Sequence, residues 1–587
     1  MAKAPTRAKA VTRKRADVVA RRSDSKSDIK MQQDVYVTMR DGVRIALRIW
    51  RPAKPGRYPA LYAASPYQYE YDDVPAYAIF AWRETGPVEW YVRQGYVYIH
   101  ADVRGSGRSE GTFHYMDAQE QQDNHDVIEW IARQPWCSGK VGGVGQSYFG
   151  TSQWFMATSK PPHLACIAPY DASLDAYRSS AYHGGILCGY RSNWYNNTVR
   201  FNNLHRPADS PRGKAMEWDF NYEIFNHPTY DDFWKERSAY ERMPEVKIPV
   251  LSIGHWGKKE LHLRGNLEGY ERAGGPRWLV VTGAANVREA HHLYDEVDFH
   301  KEHLLPFYDR YLKGEKNGWE KTPPVRIWVR GEEAWRAEKQ WPLARAEYQS
   351  WYLRKGPSGS VTSLNDGGLT PAKPVRAEKP TSYSYPDPEW KVGVVALVKG
   401  SSDPVRRVLT FTSAPLAEDM EVTGNIVLEL YASSDQIDTD FIVKLSDQRP
   451  QDAAARAAGE QPKFANVSKG WLKASHRALD PQYAKPHQPY YSHEEPQALT
   501  PGEVTRFEIA VMATSYVFKA GHRIRLEIVN GDSNVTDAVF AHPYHPSKRG
   551  TDTIRHEARY PSRLLLPVVP KGKVTKKDEA KTAKRRA

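Results

Sequence analysis

The sequence predicts an α/β domain on a doubly wound, mostly parallel sheet, interrupted by a helical insertion and followed by a β-sandwich. Three observations predict it. Up to about residue 170, short β-rich runs alternate with helical patterns, as parallel strands joined by crossover helices do. Residues 172–245 break that rhythm and are rich in Tyr, Trp, Asn and His. From about residue 355, short strands of alternating polarity are separated by Pro, Gly and Ser linkers, as in a sandwich or jelly roll. Apolar residues make up 40% of the 587 positions, with 18 Trp and 35 Tyr, enough for large cores.

In order along the chain, Val35–Met39 and Val43–Trp50 flank Asp41-Gly42 and form a hairpin signal. Pro59–Ala64 reads as a strand, Glu89–Gln94 as a short helix ending at Gly95, and Tyr96–Val103 as a second strand. Asp117–Gln134 reads as a helix with Val127, Ile128 and Ile131 on one face. Val141–Val144 is a third strand, followed by a helix running to Lys160-Pro161-Pro162. After the insertion, Pro249–Gly254 and Trp278–Gly283 resume the buried strands. Val297–Leu312 is a long helix closed by Lys313-Gly314. Val325–Arg330 and Gln349–Leu353 are β-rich. In the sandwich, Ile524, Leu526 and Ile528 alternate with Arg523, Arg525 and Glu527, which face the other way. Ile426, Leu428 and Leu430 repeat the pattern. The expected division is a disordered basic tail (1–33), an α/β catalytic domain (34–171 and 246–348), a helical cap (172–245), a jelly roll (349–570) and a second basic tail (571–587).

The net charge of +13 resides in the two tails: residues 1–30 carry ten Lys/Arg against three acids, and residues 571–587 carry eight against two. The body is electrically balanced, so the charge predicts solvated extensions and no specific nucleic-acid site. No apolar run has the roughly 20 residues that a membrane helix needs, and no apolar segment follows the basic start as in a signal peptide. The expectation is a cytoplasmic protein without a membrane partner. Cys137, Cys166 and Cys188 cannot all pair and lack a metal-ligand spacing, so they read as buried free thiols.

The strongest chemical signal is Gly145-Gln146-Ser147-Tyr148-Phe149-Gly150, between a strand and a helix. A serine on such a turn is pushed out at the top of the sheet, with glycines letting the backbone pass. The first N–H of the following helix, that of Tyr148, points to the same place and can stabilise an oxyanion. The spacing is G-x-S-x-x-G rather than G-x-S-x-G. A glycine-flanked helix cap would look the same locally; the strand–turn–helix context favours a nucleophile.

Several further motifs resemble one family of α/β-hydrolases, which includes cocaine esterase, α-amino-acid ester hydrolases, glutaryl acylases and X-prolyl dipeptidyl peptidases. They are Asp102-Val103-Arg104-Gly105-Ser106-Gly107-Arg108-Ser109-Glu110-Gly111, Asp126-Val127-Ile128-Glu129-Trp130, Gln134-Pro135-Trp136 and Ser147-Tyr148-Phe149-Gly150. In the sandwich, Thr439-Asp440-Phe441, the segment Ser515–Arg523 and Pro561-Ser562-Arg563-Leu564 resemble the family's jelly roll. The resemblance implies Ser147 as nucleophile. It also implies that Tyr67, in Ser65-Pro66-Tyr67, joins the Tyr148 N–H in the oxyanion hole. Counting back from Arg264-Gly265 puts Glu260 at the family's acid position, although the spacing from Trp256 is longer by two; a surface Glu paired with Lys258 or Lys259 is the competing reading. The family's G-P-W-x-H is missing, because Gly283 is followed by Ala284-Ala285-Asn286-Val287-Arg288. His291 is the expected base, with its neighbour His292 and, further back, His262 as rivals.

Other chemistry is weaker. His300 and His303 are spaced i, i+3, not the i, i+4 of zinc helices, and read as helix surface. Gly105-Ser106-Gly107 lacks P-loop spacing, so no cofactor is expected. Trp194, Tyr195 and Trp218 read equally as an acyl pocket or as cap core. The expected function is a serine hydrolase that cleaves a small-molecule ester or amide through an acyl-enzyme on Ser147. The alternative is an altered member of the fold, kept for binding, that lacks the usual His. Oligomeric state stays open, a homo-oligomer among the options.

Overall fold

The computed structural model describes residues 28–69, 84–204, 217–387, 405, 407–532, 540–545 and 547–571. Most of both basic tails lies outside these residues. At the inner end of the first the expected boundary is too late: Ile29–Thr38 is already a strand, β1. It pairs antiparallel with β2 (Arg44–Pro52) around Asp41-Gly42, the predicted hairpin extended at its outer end.

Five further strands build the centre of the first sheet: β3 (Tyr58–Ser65), β4 (Val97–Asp102), β5 (Cys137–Gly143), β6 (Leu164–Ile167) and, beyond the insertion, β9 (Val250–His255). The insertion contributes a short hairpin, β7 (Tyr182–His183) and β8 (Ile186–Leu187), where no strand is legible in the sequence. β10 (Arg277–Thr282), β11 (Val325–Val329) and β12 (Ala334–Glu338) complete the sheet in the order β1-β2-β4-β3-β5-β6-β9-β10-β11-β12. From β4 to β11 neighbouring strands are parallel; β1, β2 and β12 are antiparallel additions. The central strands are covered on both faces, which is why β4 and β9 are buried at every position. Helix α1 (Val88–Arg93) precedes β4, and helix α2 (Ala118–Ala132) follows it. At the start of α2 the Asp117 side chain accepts from the Glu120 N–H (2.8 Å), and Val127, Ile128 and Ile131 are buried as the periodicity predicts. The helical stretch from Val297 to Lys313 ends on Gly314 at φ +79°, the predicted stop.

Gln349–Leu353 lies inside a longer strand, Glu347–Pro357, which belongs to the second domain. That domain is an eleven-stranded sheet whose strand Met420–Ser434 also pairs with Arg563–Val568, folding it back on itself. Ile524, Leu526 and Ile528 are fully buried in its core, each contributing about 1.5–3 kcal/mol. Arg525 and Glu527, on the alternate face, are 1% exposed instead of solvated. The reason is that this face packs towards the catalytic domain: both residues line a cavity of about 460 Å³ together with Trp256, Lys259 and Glu260. The domains are joined by polar contacts. Arg330 donates to the Thr514 hydroxyl (2.8 Å), Arg178 to the Tyr491 carbonyl (2.9 Å), and the Tyr230 N–H to the His493 carbonyl (2.9 Å). Among the described residues, no helix is long and apolar enough to cross a membrane.

Candidate active site

Ser147 sits between β5 and helix α3 (Tyr148–Thr158) at φ 60°, ψ −114°, a backbone conformation costly for a side chain with a Cβ. Its N–H donates to the carbonyls of both Tyr170 and Asp171 (3.1 Å each), and its carbonyl accepts from the Thr151 N–H (2.7 Å). The flanking glycines explain the G-x-S-x-x-G spacing. A Cβ on Gly145 would stand 2.4 Å from the Phe149 Cβ, and one on Gly150 would stand 2.6 Å from the Tyr170 carbonyl oxygen. The tight contact that demands a glycine therefore falls on the third residue after the serine.

Tyr67 follows the C-terminal end of β3, where ligands bind in α/β sheets. Its hydroxyl oxygen accepts from the Trp194 indole N–H (2.9 Å), and its ring meets that of Tyr148 edge-on at 6.0 Å. Burial pushes its pKa well above 10, so it stays protonated as a donor. The Tyr148 N–H is one of the first-turn N–H groups that a helix leaves without an intrahelical acceptor. The Tyr148 hydroxyl donates to Glu120 (2.9 Å), and its ring stacks on Trp194 (6.0 Å, 22°). Trp194 thus belongs to the site, and Trp218 stacks on Phe220 further into the cap.

The charged groups at Ser147 are mostly ones the sequence analysis did not single out. Glu84 is 4% exposed, and its backbone carbonyl accepts from the Gln146 N–H (2.9 Å). Burial pushes its pKa up to about 8; Lys258 and the Ser147 hydroxyl pull the other way. Asp171, after β6, is fully buried, with Lys258 Nζ at 2.7 Å, His255 Nε2 at 3.1 Å and His262 Nδ1 at 3.1 Å. Burial alone would raise its pKa, but Lys258, His262 and His255 hold it well below the usual range. Burial pushes His262 down to about 4, so at neutral pH it is uncharged and Lys258 is the balancing cation.

His291 comes to this cluster from helix Val287–Asp295. Its Nε2 lies 3.3 Å from Lys258 Nζ and its Nδ1 3.8 Å from Glu84 Oε1. An ammonium has only donors, so Nε2 accepts and the ring proton sits on Nδ1, facing Glu84. Burial, then Lys258, hold its pKa well below 6.5. His292 is exposed on the same helix and lines a separate groove with Trp328 and Trp335. Glu260 does not join His291: its carboxylate pairs with Lys469 of the jelly roll (3.0 Å) and lines the cavity between domains. The longer spacing after Trp256 is taken up by one wide helical turn of five residues, Lys259–Leu263, on which Glu260 faces the domain interface. The competing reading of a surface Glu260 paired with Lys258 or Lys259 does not hold either, since both lysines are buried and Lys258 pairs with Asp171. His300 and His303 are also buried rather than surface: His300 bridges Tyr91 (2.8 Å) and the Tyr294 carbonyl (2.6 Å), and His303 meets Arg326 (2.8 Å).

No single local motif predicts Glu84, Asp171 and Lys258 together. Asp171 had the one usable signal, an acid just past a parallel strand.

The doubly wound sheet and the serine on its strand-to-helix turn are those of an α/β-hydrolase-fold serine hydrolase. Residues 41–294 match the family model of the X-Pro dipeptidyl-peptidase (S15 family), and residues 317–565 that of the X-Pro dipeptidyl-peptidase C-terminal non-catalytic domain. The chain belongs to that family. It is 27% identical to a cocaine esterase of Rhodococcus sp. over 91% of this chain and 98% of that one. It is 23% identical to an Xaa-Pro dipeptidyl-peptidase of Lactobacillus delbrueckii subsp. bulgaricus, over 79% of this chain and 63% of the relative. A CocE/NonD family hydrolase from Staphylococcus aureus superposes with a TM-score of 0.77 at 26% identity, covering 92% of this chain and 94% of that one.

Proposed function

We propose that the protein is a serine esterase that cleaves small acyl esters through an acyl-enzyme on Ser147. The observation that carries this is Ser147 on its strained turn, with its hydroxyl hydrogen-bonded to the buried Glu84 carboxylate and the Tyr67 ring packed against that of Tyr148. Ser147 Oγ attacks the ester carbonyl while its proton passes to Glu84. Tyr67 and the Tyr148 N–H hold the oxyanion. Collapse of the tetrahedral intermediate expels the alkoxide, which takes the proton from Glu84. Water then repeats the sequence and releases the acid. His291 Nδ1 faces Glu84 across 3.8 Å, and Lys258 fixes the tautomer that turns its N–H that way. The aromatic wall of Tyr148, Trp194 and Tyr115 suits an apolar acyl or alcohol group. Esters are favoured over amides because an alkoxide leaves more easily than an amine anion; the esterase and dipeptidyl-peptidase relatives span both.

A second reading keeps His291 as the base, because it stands on the first helix after β10, where the triad histidine follows in chain order. In that reading Lys258 must leave Nε2 before His291 can reach the serine.

Labelling by a fluorophosphonate tests the nucleophile. The wild type is expected to take one phosphonyl group, on the peptide containing Ser147, and Ser147→Ala none. A folded wild type that does not label contradicts the esterase reading and leaves a binding protein of the same fold.

A further inference from the structure

Away from the serine, the hairpin of the insertion meets the jelly roll at a group of side chains that the proposed hydrolysis does not use. His183 ends β7, and Cys188 lies just after β8. The Cys188 N–H donates to the Ala181 carbonyl (2.8 Å), which places Cys188 opposite Ala181 in the hairpin register. Residues opposite each other share a face, and Ala181 shares its face with His183, so the His183 ring and the Cys188 thiol project to the same side. His542 approaches from the jelly roll, where the Gly189 N–H donates to the Ala541 carbonyl (2.9 Å). The His183 and His542 nitrogens and the Cys188 sulfur lie within 4.8 Å of one another, and all three residues are buried.

The hydrogen bonds of the outer ring nitrogens decide what the inner ones can do. His183 Nε2 lies 3.1 Å from the Ser179 carbonyl oxygen, which only accepts, so Nε2 carries a proton. His542 Nδ1 lies 2.5 Å from the Asp532 carboxylate and carries one too. In the neutral rings, the remaining nitrogens, His183 Nδ1 and His542 Nε2, both present lone pairs, and they face each other at 3.0 Å. Two facing lone pairs at that distance need a proton or a metal ion between them. A carboxylate and a carbonyl behind the rings is the arrangement that orients metal-ligating histidines.

We propose that His183 Nδ1, His542 Nε2 and Cys188 Sγ bind a zinc ion that joins the insertion to the jelly roll. The donor set, two imidazoles and a thiolate, suits a borderline-soft, four-coordinate ion, with water completing the tetrahedron. Zinc–nitrogen bonds of about 2.0–2.1 Å hold two nitrogens about 3.3 Å apart, close to the observed 3.0 Å. Binding converts the thiol to thiolate and releases its proton to solvent. The site is structural. Trp471 packs over both rings (4.6 Å to His183, 5.7 Å to His542) and belongs to the jelly-roll strand Phe464–Lys473, whose Lys473 N–H donates to the hairpin's Gly184 carbonyl (2.9 Å). Sequence spacing hides the site, because one ligand comes from more than 350 residues away, as the 359-residue separation of the two histidines shows.

The test is full-length protein stripped with a chelator and titrated with zinc chloride alone. Expected are one zinc per chain at micromolar metal or below, a rise in Tm on binding, and a thiolate-to-metal charge-transfer band when cobalt replaces zinc. Cys188→Ser is expected to lose the band and at least tenfold in affinity while its circular dichroism stays that of the wild type. His542→Ala is expected to lose binding. A stripped wild type that takes up no zinc overturns the proposal and leaves a shared proton between the rings. Equal zinc uptake by wild type and both variants overturns it as well.

Discussion

At Ser147 the decisive contacts are made by Glu84 and by the groups behind it. A carboxyl raised to about 8 by burial is about one-tenth ionised at pH 7 and half-ionised near pH 8, and the ionised fraction is a strong base, whereas a histidine held well below 6.5 is neutral but weakly basic. Labelling or hydrolysis should therefore rise about tenfold per pH unit up to about pH 8. Glu84→Gln should remove that limb and lower kcat by about 10²–10⁴, read from pH–rate profiles of the two proteins. Tyr67→Phe keeps the packing but removes one oxyanion donor. It should cost about 10²–10³ in kcat with little change in KM, measured on an activated ester. Ser147 stood out in the sequence through its strand–turn–helix motif, and Tyr67 only through the family resemblance. Glu84, Asp171 and Lys258 were not, because they converge from three separated loops and only burial couples them.

At the scale of the element, the start of α2 stores a second buried carboxyl. Glu120 accepts from the Tyr148 hydroxyl (2.9 Å) and the Met116 N–H (3.0 Å), and burial still pushes it from 4.5 up to about 8. The folded protein thus binds a proton more tightly than the unfolded chain. The stability this confers is complete below about pH 4.5 and is lost as pH rises through about 8. Glu120→Gln should therefore gain stability relative to the wild type between pH 5 and pH 9, read as urea midpoints at the two pH values. The turn into α3 is strict in the opposite sense: Gly150→Ala pushes a Cβ against the Tyr170 carbonyl and should cost about 1–3 kcal/mol in thermal unfolding. Strand and helix periods located β2 to β5 and α1 to α3 and the inner half of β1, but not β6, whose four residues Leu164–Ile167 are too few to stand out. They missed the β7–β8 hairpin, whose strands are two residues each and too short to show alternation.

In the whole molecule, the jelly roll and the catalytic domain share buried polar surface, and this misled the reading of Arg525, Glu527 and Glu260. Each occupies a position that looks solvent-facing or catalytic within its own domain, and each is covered by the other domain. A one-dimensional pattern reports which residues share a face but not what later packs on it. Glu260→Gln removes the partner of Lys469 (3.0 Å) and should cost about 1–3 kcal/mol of stability. The rate of phosphonate labelling should stay within about threefold, because the residue faces the interdomain cavity. A large loss of labelling in that variant, with folding intact, would return Glu260 to the catalytic machinery.

The account turns on which group takes the proton from Ser147, and the most direct measurement is the rate of fluorophosphonate labelling from pH 5 to 9 in wild type, Glu84→Gln and His291→Ala. The prediction is a wild-type rate that reaches half its maximum near pH 8 and levels above it, a Glu84→Gln variant that labels slowly with no such climb, and a His291→Ala variant that labels measurably with the rise displaced. A wild-type rate flat from pH 7 to 9, with labelling kept in Glu84→Gln and abolished in His291→Ala, would contradict it and make His291 the base.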